Sequence, residues 1–294
     1  MSERELLWRP LRIGGLDVDR RVFMAPMAGV TTQPFRRSVR RWGAGLVFTE
    51  MISACGVHYR NRRTLDYLTC DHADHAIGFQ LFGADPDIVA DAATRCVAAG
   101  ADLVDLNMAC PVRKVVKTGA GAALLGDADR AVAMVAAVAD TVGHSVPVTV
   151  KIRSGLREGD ELGRRVAPLL VSAGAAAITI HPRSAGQLDR GRADHAITLA
   201  LAADLPVPVI ASGDMDGRAA ALPLLSGGVA AVMLARHAVG RPWLFAEILE
   251  DVPPPSPSAM RREMCTFVED VLCASQRRAV GHLRQFWQRF RRSG

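Results

Sequence analysis

The sequence predicts an α/β protein, a (β/α)8 TIM barrel followed by a short carboxyl-terminal helical segment. Three observations lead to this prediction. Short apolar runs recur eight times, the segments between them have the length and composition of helices, and the alternation ends at a proline-rich stretch after about 250 residues. A doubly wound sheet shares the alternation, but eight strands over this length favour the barrel.

The predicted strands are short apolar runs bounded by polar residues, glycine or proline. They cover residues 22–27, 46–50, 76–81, 103–107, 148–152, 177–181, 207–212 and 231–234. Segments between them, such as 86–99 and 127–142, are rich in Ala and carry Asp or Pro near their starts, as helices do. We therefore expect residues 1–250 to form one barrel domain.

The chain after the barrel is predicted to be a linker and a basic helical domain. Residues 251–258, DVPPPSPS, hold too many prolines for a helix or an inner strand. Residues 259–294 contain eight Arg and three acids, which gives +5 of the chain's net charge of +6. Their apolar residues recur at helical spacing, which predicts an amphipathic helix packed on another part of the protein.

Composition limits the class of protein. Apolar residues make up 49% of the chain, enough for a sizeable core, and no apolar run approaches the roughly 18 residues that cross a bilayer. The first residues lack the features of a secretory signal. The six cysteines form no CxxC pair and no paired spacing with histidine, so we expect neither a metal site nor disulfides. These features predict a cytoplasmic protein with reduced thiols and no membrane partner, and we expect a monomer.

Cys110 is the first candidate for a reactive group. It lies in the stretch NMACPVRKV at 107–115, directly after the predicted strand 103–107, and Pro111 prevents further strand pairing. Cys110 is therefore predicted at the carboxyl end of a strand, the end at which parallel α/β folds assemble their reactive groups. A buried structural cysteine is the alternative for an isolated Cys, and the other strand ends decide between the two interpretations.

Residues at the other strand ends share the same predicted edge of the barrel. They are Pro26, Met27 and Ala28 after the first strand, Gln80, Asn107, Lys151 and His181 at strands three to six, Ser212, Gly213 and Asp214 at the seventh, and Ala235 and Arg236 after the eighth. Singly, each is more often a rim residue. Together, the amide, the lysine and the histidine can hold the edge of a flavin ring, and backbone N–H groups after strands seven and eight can hold its phosphate.

A cluster of arginines in the first crossover is a candidate for contact with phosphates. Arg36, Arg37, Arg40 and Arg41 form two i,i+4 pairs on consecutive helical turns. Like charges at this spacing repel, and an anionic partner would offset the repulsion. A solvated helix face is the alternative interpretation.

The motifs that carry these residues resemble those of the tRNA-dihydrouridine synthases. The similar stretches are MAPMAGVTTQPFR at 24–36, GFQLFG at 78–83, LNMACPVRKVVKTGAGAALL at 106–125, VKIRSG at 150–155, IHPRSAGQ at 180–187, ASGDM at 211–215 and LARHAVGRPWLF at 234–245. They cover the whole predicted barrel. The sequence CPVRKV at 110–115 is most similar to the bacterial B-type branch of the family.

The resemblance implies an FMN-dependent barrel with a helical domain that reduces specific uridines in tRNA to 5,6-dihydrouridine. The positions that would bind the cofactor are Pro26, Met27, Ala28, Gln80, Lys151, His181, Ser212, Gly213, Asp214, Ala235 and Arg236. Cys110 would be the proton donor. The positions that would contact the tRNA are Asn107, Arg183, Arg36, Arg40, Arg284 and Arg289, with Arg291 as a further phosphate contact.

The chain departs from the family pattern at several positions. Ala109 and Ala235 stand where the family usually has Gly, Ser212 where it has Asn, and Pro182 where it has the Gly of an HGR motif. The added methyl groups predict a changed loop conformation near the cofactor, and a Ser hydroxyl replaces part of the bonding of an amide. The helical domain, 36 residues after the linker, is shorter than is usual for the family, which predicts a smaller RNA-binding surface.

The implied reaction fits the residue types. Reduction of the C5=C6 bond of a uracil takes a hydride at C6 and a proton at C5. A cysteine thiol ordinarily has a pKa of about 8.5, so it is mostly protonated at neutral pH and can supply the proton. No GxGxxG follows a predicted strand, so NADPH or NADH is expected to reduce the flavin at the face that the RNA later uses.

Three other functions are compatible with parts of the sequence. A flavin barrel that reduces a small pyrimidine-like molecule would share the strand-end residues, but it has no need for a basic tail. A Schiff-base aldolase with Lys151 as nucleophile leaves Gln80 and the Pro-Met-Ala turn unexplained. An RNA-binding barrel without catalysis would fit the changes at 109 and 212 and the short tail.

Overall fold

The computed structural model describes residues 2–274, together with Leu283 and Phe286. Its strands are β1 (Leu11–Ile13), β2 (Leu16–Val18), β3 (Val22–Met24), β4 (Val47–Phe48), β5 (Ile52–Ser53), β6 (Ile77–Phe82), β7 (Leu103–Met108), β8 (Val148–Arg153), β9 (Ala177–His181), β10 (Val209–Ser212) and β11 (Ala231–Leu234). Its helices are α1 (Glu3–Trp8), α2 (Gln33–Arg41), α3 (Ala54–His58), α4 (Arg62–Leu65), α5 (Pro86–Ala98), α6 (Arg113–Val116), α7 (Ala128–Val142), α8 (Leu162–Ser172), α9 (Ala196–Asp204), α10 (Arg218–Ser226), α11 (Leu244–Glu250) and α12 (Pro257–Ala274). Among these helices, none has the length and apolar character needed to cross a bilayer.

Eight parallel strands form the barrel. Their order is β3, β11, β10, β9, β8, β7, β6 and β4. The two ends of this path meet where Phe23 of β3 bridges Leu46, the residue before β4, in parallel pairing. The Met24 N–H donates to the Leu46 carbonyl at 2.9 Å, and the Gly45 N–H donates to the Val22 carbonyl at the same distance. The predicted (β/α)8 barrel is therefore confirmed.

The predicted strand boundaries agree with the structure to within three residues at each end. All eight predicted barrel strands are present, and 177–181 and 231–234 have the predicted bounds. The first strand ends at Met24 rather than 27 because Pro26 cannot continue the ladder, and β10 begins only after Pro208 for the same reason. The short strands β1, β2 and β5 were not predicted, since two or three residues give too little periodicity to recognise.

The hairpin of β1 and β2 covers the amino-terminal end of the barrel interior. Ile13 and Val18 are buried in a cluster with Phe23 and with Leu103, the first residue of β7. The turn needs Gly14, which has φ +54°, and a Cβ there would lie 2.9 Å from the Cβ of the Pro147 that precedes β8. Because this end is closed, the carboxyl-terminal ends of the strands form the open end of the barrel.

Helix α12 packs on α2, the first crossover helix. Arg41 of α2 pairs with Glu263 at 2.8 Å and with Asp270 at 2.9 Å. The ring of Phe286 lies 4.8 Å from that of Phe35 in α2 and 4.7 Å from that of Phe267 in α12, centroid to centroid. The predicted packing of an amphipathic carboxyl-terminal helix agrees with these contacts, and residues 251–256 before α12 have no regular structure. The division into domains at 250 and 258 stays a prediction.

Candidate active site

A cleft opens at the carboxyl-terminal ends of the barrel strands, the face that carries the active site in this architecture. Its volume is about 220 Å³. The lining residues are Ala25, Pro26, Met27, Lys151, Arg153, His181, Asp189, Ser212, Gly213, Asp214, Met215, Met233, Ala235, Arg236 and His237. Nine of the eleven predicted cofactor positions are thus brought together around one cavity, which leaves out Ala28 and Gln80.

A buried chain of hydrogen bonds runs across three neighbouring strands toward Cys110. Gln80, Asp105 and Thr149 are in register on β6, β7 and β8. The Thr149 hydroxyl donates to Oδ1 of Asp105 at 2.7 Å, and Nε2 of Gln80 donates to Oδ2 at 2.7 Å. Nδ2 of Asn107 then donates to Oε1 of Gln80 at 2.8 Å. These partners satisfy an otherwise unpaired buried carboxylate and fix the orientation of both amides.

The main chain of Cys110 is held on both sides. Oδ1 of Asn107 accepts from the Ala109 N–H at 3.1 Å and from the Cys110 N–H at 2.8 Å. The Cys110 carbonyl accepts from the Ala122 N–H at 3.0 Å. Close packing requires Gly121 at φ +63°, since a Cβ there would lie 2.7 Å from the Cys110 carbonyl oxygen. The half-buried thiol is therefore placed at the end of β7 by the strand, the Asn107 amide and the segment around Gly121.

Lys151 and Asp105 are buried ionisable groups next to this chain. Asn107 and Lys151 are paired residues of β7 and β8. Burial, followed by the charge of Arg153, lowers the pKa of Lys151 to about 8, while Asp105 and a negative charge on Cys110 would raise it. Burial raises the pKa of Asp105 to about 6, against the hydrogen bonds from Gln80 and Thr149 and the charge of Lys151. Both groups are thus close to a change of charge near neutral pH.

His181 is a neutral hydrogen-bonding group in a cationic cleft. Burial, followed by the charges of surrounding cations, lowers its pKa to about 2. The cations are Lys151, Arg153, Arg183 and Arg236. Nδ1 of His181 accepts from the Arg183 N–H at 3.3 Å, which leaves the ring proton on Nε2. A Cβ on Gly213, which has φ +109°, would lie 3.3 Å from that Nε2.

The turn after β10 is fixed by a buried arginine. Asp214 has φ +53°, and its carboxylate accepts from Nη2 of Arg183 at 2.8 Å and from the Ala193 N–H at 2.7 Å. Although partial burial acts in the opposite direction, these hydrogen bonds lower the pKa of Asp214. Arg236 after β11 pairs with Asp189 at 2.9 Å. The end of the cleft near β10 and β11 therefore holds two arginines that are each paired with a carboxylate, and of the two the Arg236 side chain is the exposed one, at 45%.

Several predicted residues lie outside the cleft, and several of its residues were not predicted. Asn107 is buried and positions the main chain, and Ala28 is exposed beyond the lining. Gln80 is completely buried, and its predicted contact with a flavin ring stays a prediction. Among the residues missed are Arg153 and Asp189 of the cleft, and Asp105 and Thr149 of the buried hydrogen-bonded chain. For Asp105 and Thr149, the signal was a polar residue inside an apolar strand run, which a barrel interior buries only when it is hydrogen-bonded.

The structure places Arg36 and Arg40 in contacts within the protein, and their predicted contacts with phosphates stay a prediction. The Arg36 side chain is 3% exposed, and its Nη2 lies 3.2 Å from Oδ2 of Asp74. Arg40 turns inward, and its guanidinium donates to the carbonyls of Ala44, Gly45 and His75. Both guanidinium groups are therefore engaged in contacts within the protein.

The other two arginines of this cluster are occupied by helix α12 and by the segment before β6. Arg37 contacts Asp71 and Asp270, and Arg41 contacts Glu263 and Asp270. The tail positions Arg284, Arg289 and Arg291 lie outside the described residues, so their contacts with RNA stay a prediction.

Comparison with known proteins identifies the family of this chain. The profile of the family described as "Dihydrouridine synthase (Dus)" matches residues 23–290. The tRNA-dihydrouridine synthase B of Pseudomonas aeruginosa is 39% identical over 241 residues, which cover 81% of this chain and 71% of the relative. The protein of the same name from Xanthomonas campestris is 38% identical over 282 residues, covering 93% and 79%. A probable tRNA-dihydrouridine synthase 1 from Synechocystis is 37% identical over 291 residues, covering 98% and 78%.

Similar solved structures share the barrel at much lower sequence identity. Morphinone reductase has a TM-score of 0.61 at 18% identity, with 86% of this chain and 93% of the other covered. Histamine dehydrogenase from Rhizobium sp. 4-9 has a TM-score of 0.68 at 15% identity, with 85% and 48% covered. These likenesses show the fold. The family match over most of the chain and the identity to three relatives show that this chain belongs to the dihydrouridine synthase family.

Proposed function

We propose that this chain reduces uridine in tRNA to 5,6-dihydrouridine, with FMN as its resident cofactor, NADPH or NADH as the reductant and Cys110 as the proton donor. The observation that carries the proposal is the placement of Cys110 in a member of this family. The thiol lies at the carboxyl end of β7, its main chain is fixed by Asn107, and Asn107 is paired in register with Lys151 on the neighbouring strand.

The residues of the cleft fit a flavin mononucleotide. The end near β10 and β11 combines Arg236 with the Gly213 turn, which leaves room where a Cβ would approach His181. The exposed guanidinium of Arg236 and the backbone of this turn would hold the phosphate monoester. The apolar residues Ala25, Met27 and Met233 line the same cleft and suit the flat faces of an aromatic ring. When bound, reduced flavin supplies the hydride that uracil C6 accepts.

Lys151 and His181 would orient the cofactor and the uracil by hydrogen bonds. The ammonium of Lys151 donates to carbonyl oxygens and is 8% exposed, so water competes little for it. His181 stays neutral throughout the physiological pH range and offers the Nε2 proton as a donor. A neutral donor at this position adds no further positive charge to a cleft that already contains three cations among its lining residues.

Cys110 would deliver the proton to C5. As the C–H bond forms at C5, the S–H bond breaks and the thiol becomes a thiolate. Lys151 can stabilise that thiolate, because a negative charge on Cys110 raises the pKa of Lys151 and favours its ammonium form. The proton must return to sulfur before the next turnover, and the half-buried thiol retains access to solvent.

The RNA phosphates would contact a basic segment that follows Cys110. Residues 112–118, VRKVVKT, contain three cations and no acid. Arg113, Lys114 and Lys117 are exposed, and no carboxylate among the described residues pairs with them. This segment borders the proposed proton donor, whereas the arginines of α2 are occupied. Exposed, unpaired cations beside the reacting atom are the arrangement expected for positioning a polyanion.

The test is mass spectrometry of tRNA from cells that lack the gene. A dihydrouridine should disappear and should return when the wild-type gene is supplied. A copy with Cys110→Ala is the matched control, and it should not restore the modification although the protein accumulates. An unchanged tRNA in the deletion strain, together with no dihydrouridine formed by purified protein, FMN, NADPH and unmodified tRNA, would reject the proposed function.

A further inference from the structure

Arg153 joins the two loops that flank its own strand. It is the last residue of β8 and is 7% exposed. Its Nε donates to the Ala109 carbonyl, after β7, at 2.9 Å. Its Nη1 donates to the Ser184 carbonyl at 3.0 Å and to the Leu188 carbonyl at 2.9 Å, both after β9. One guanidinium therefore ties the segment that carries Cys110 to the segment that carries Asp189.

The contact at Ala109 fixes the peptide from which Cys110 extends. The Ala109 N–H is held by Asn107 and the Ala109 carbonyl by Arg153. The Cys110 N–H is held by Asn107 as well. Among the described residues, only Arg153 donates a hydrogen bond to the Ala109 carbonyl. Without that contact the peptide plane between Ala109 and Cys110 could rotate and move the thiol.

We infer that Arg153 is a positioning residue for proton transfer by Cys110, and that its forked geometry is required in addition to its charge. The inference rests on the proposed role of Cys110. Misplacement of a reacting group by about 1 Å can lower a rate by roughly a hundredfold, so a small rotation at Ala109 has a measurable effect.

The nature of the partners supports a geometric role. All three acceptors are uncharged main-chain carbonyls, and no carboxylate among the described residues forms an ion pair with Arg153. Burial lowers the pKa of Arg153, so its charge is held there at a cost. A lysine would retain the charge, but its single nitrogen cannot reach carbonyls on two loops in the way that a planar guanidinium does.

The experiment compares Arg153→Lys with wild type in single turnovers. Flavin reduction by NADPH and the subsequent reduction of uridine in tRNA are measured separately. Arg153→Lys should slow uridine reduction by roughly ten- to a hundredfold, and should slow it far more than it slows flavin reduction. Arg157→Lys, the same change at an exposed arginine of the loop after β8, is the matched control and should behave as wild type. A wild-type rate in Arg153→Lys would overturn the inference, since charge alone would then suffice.

A second variant covers the case in which the first is unstable. In Arg153→Ala, added guanidinium ion can occupy the vacated space and offer the same fork, whereas methylammonium ion offers charge alone. Guanidinium should restore part of the rate of uridine reduction and methylammonium should not. Equal rescue by both ions, or equal loss of flavin and uridine reduction in both variants, would overturn the positioning role.

The rate at which iodoacetamide alkylates Cys110 tests the inference independently of the proposed activity. Mass spectrometry of the peptide that contains Cys110 measures that rate. The rate constant should change at least about threefold in Arg153→Lys and should stay unchanged in Arg157→Lys, because thiol reactivity depends on its surroundings and access. Failure of the wild type to reduce uridine would reject the proposed function. An unchanged alkylation rate in Arg153→Lys would reject the inference.

Discussion

Arg36 and Asp74 form an ion pair inside the protein, with Nη2 and Oδ2 3.2 Å apart and side chains that are 3% and 0% exposed. The same guanidinium donates to the Thr31 carbonyl at 3.0 Å and to the Thr69 carbonyl at 2.7 Å. The pair fixes the first crossover helix to the segment that leads into β6. A residue in the middle of a basic run is therefore part of the core.

Removal of one partner from this pair should destabilise the protein strongly. Arg36→Ala leaves Asp74 buried and unpaired, so we expect the free energy of unfolding to fall by about 3–5 kcal/mol. Urea denaturation measures the change. Arg12→Ala removes an ion pair with Asp17 whose side chains are 69% and 70% exposed, and it should cost less than about 1 kcal/mol. An Arg36→Ala variant as stable as Arg12→Ala would contradict the structural role.

Cys110→Ala should separate the two half-reactions. The variant should bind flavin and oxidise NADPH, because neither step uses the thiol, while the reduction of uridine in tRNA should fall by at least about a hundredfold. Stopped-flow absorbance follows the flavin, and mass spectrometry of the tRNA follows the product. Cys96→Ala, at a completely buried cysteine of α5, is the control for removal of a thiol. Uridine reduction at the wild-type rate in Cys110→Ala would show that the thiol is structural.

Purified protein should be yellow and should release FMN on denaturation, since the cofactor is held without a covalent bond. Lys151→Ala should weaken FMN binding, because the lysine lines the cleft and its proposed hydrogen bonds to the cofactor would be lost. Fluorescence titration with FMN measures the affinity. A protein that stays colourless after incubation with FMN would exclude the flavin.

The charge on Lys151 should destabilise the flavin-free protein below about pH 8. The pKa of Lys151 falls from 10.5 to about 8 on folding, chiefly through burial, so the ammonium is held at a cost. The cost is fully present below the folded value, and it disappears as pH rises toward the unfolded value. Lys151→Met should therefore stabilise the flavin-free protein at pH 7 by up to roughly 3 kcal/mol, and much less near pH 10. A stabilisation that does not change with pH would contradict the assignment of the cost to charge.

The affinity for tRNA should depend on salt through the segment after Cys110. Each phosphate neutralised contributes roughly 0.7–0.9 to the slope of log affinity against log salt, so Lys114→Ala and Lys117→Ala should each flatten the slope by about one. The choice of uridine should not change, because phosphate contacts position RNA without reading its bases. Filter binding from low to high salt is the measurement, with Arg12→Ala as an exposed control on the hairpin at the other end of the barrel. The tail arginines 284, 289 and 291 are predicted to act in the same way, and equal slopes after their removal would limit the RNA surface to the barrel.

The fold and the location of the site could be predicted because they follow from local patterns. Short apolar runs define strands, and the change of pattern before Pro111 places Cys110 just beyond β7, which ends at Met108. The role of Arg36 could not be predicted, because its partner Asp74 is brought near only by the folded chain. Arg153 was missed for a related reason, since its acceptors are main-chain carbonyls that any sequence possesses. Local pattern thus predicts which end of a strand is reactive, and tertiary contacts decide which charges remain available there.

The closure of the barrel also determines the order in which the chain can complete its structure during synthesis. Strand β3 pairs with β11, so one edge of the first barrel strand waits until residues 231–234 have left the ribosome. Arg41 of α2 waits still longer for Glu263 and Asp270 of α12. An unpaired strand edge is a template for association with other chains. The nascent protein is therefore most exposed to misassembly just before β11 emerges, and a helper that shields strand edges would act in that interval.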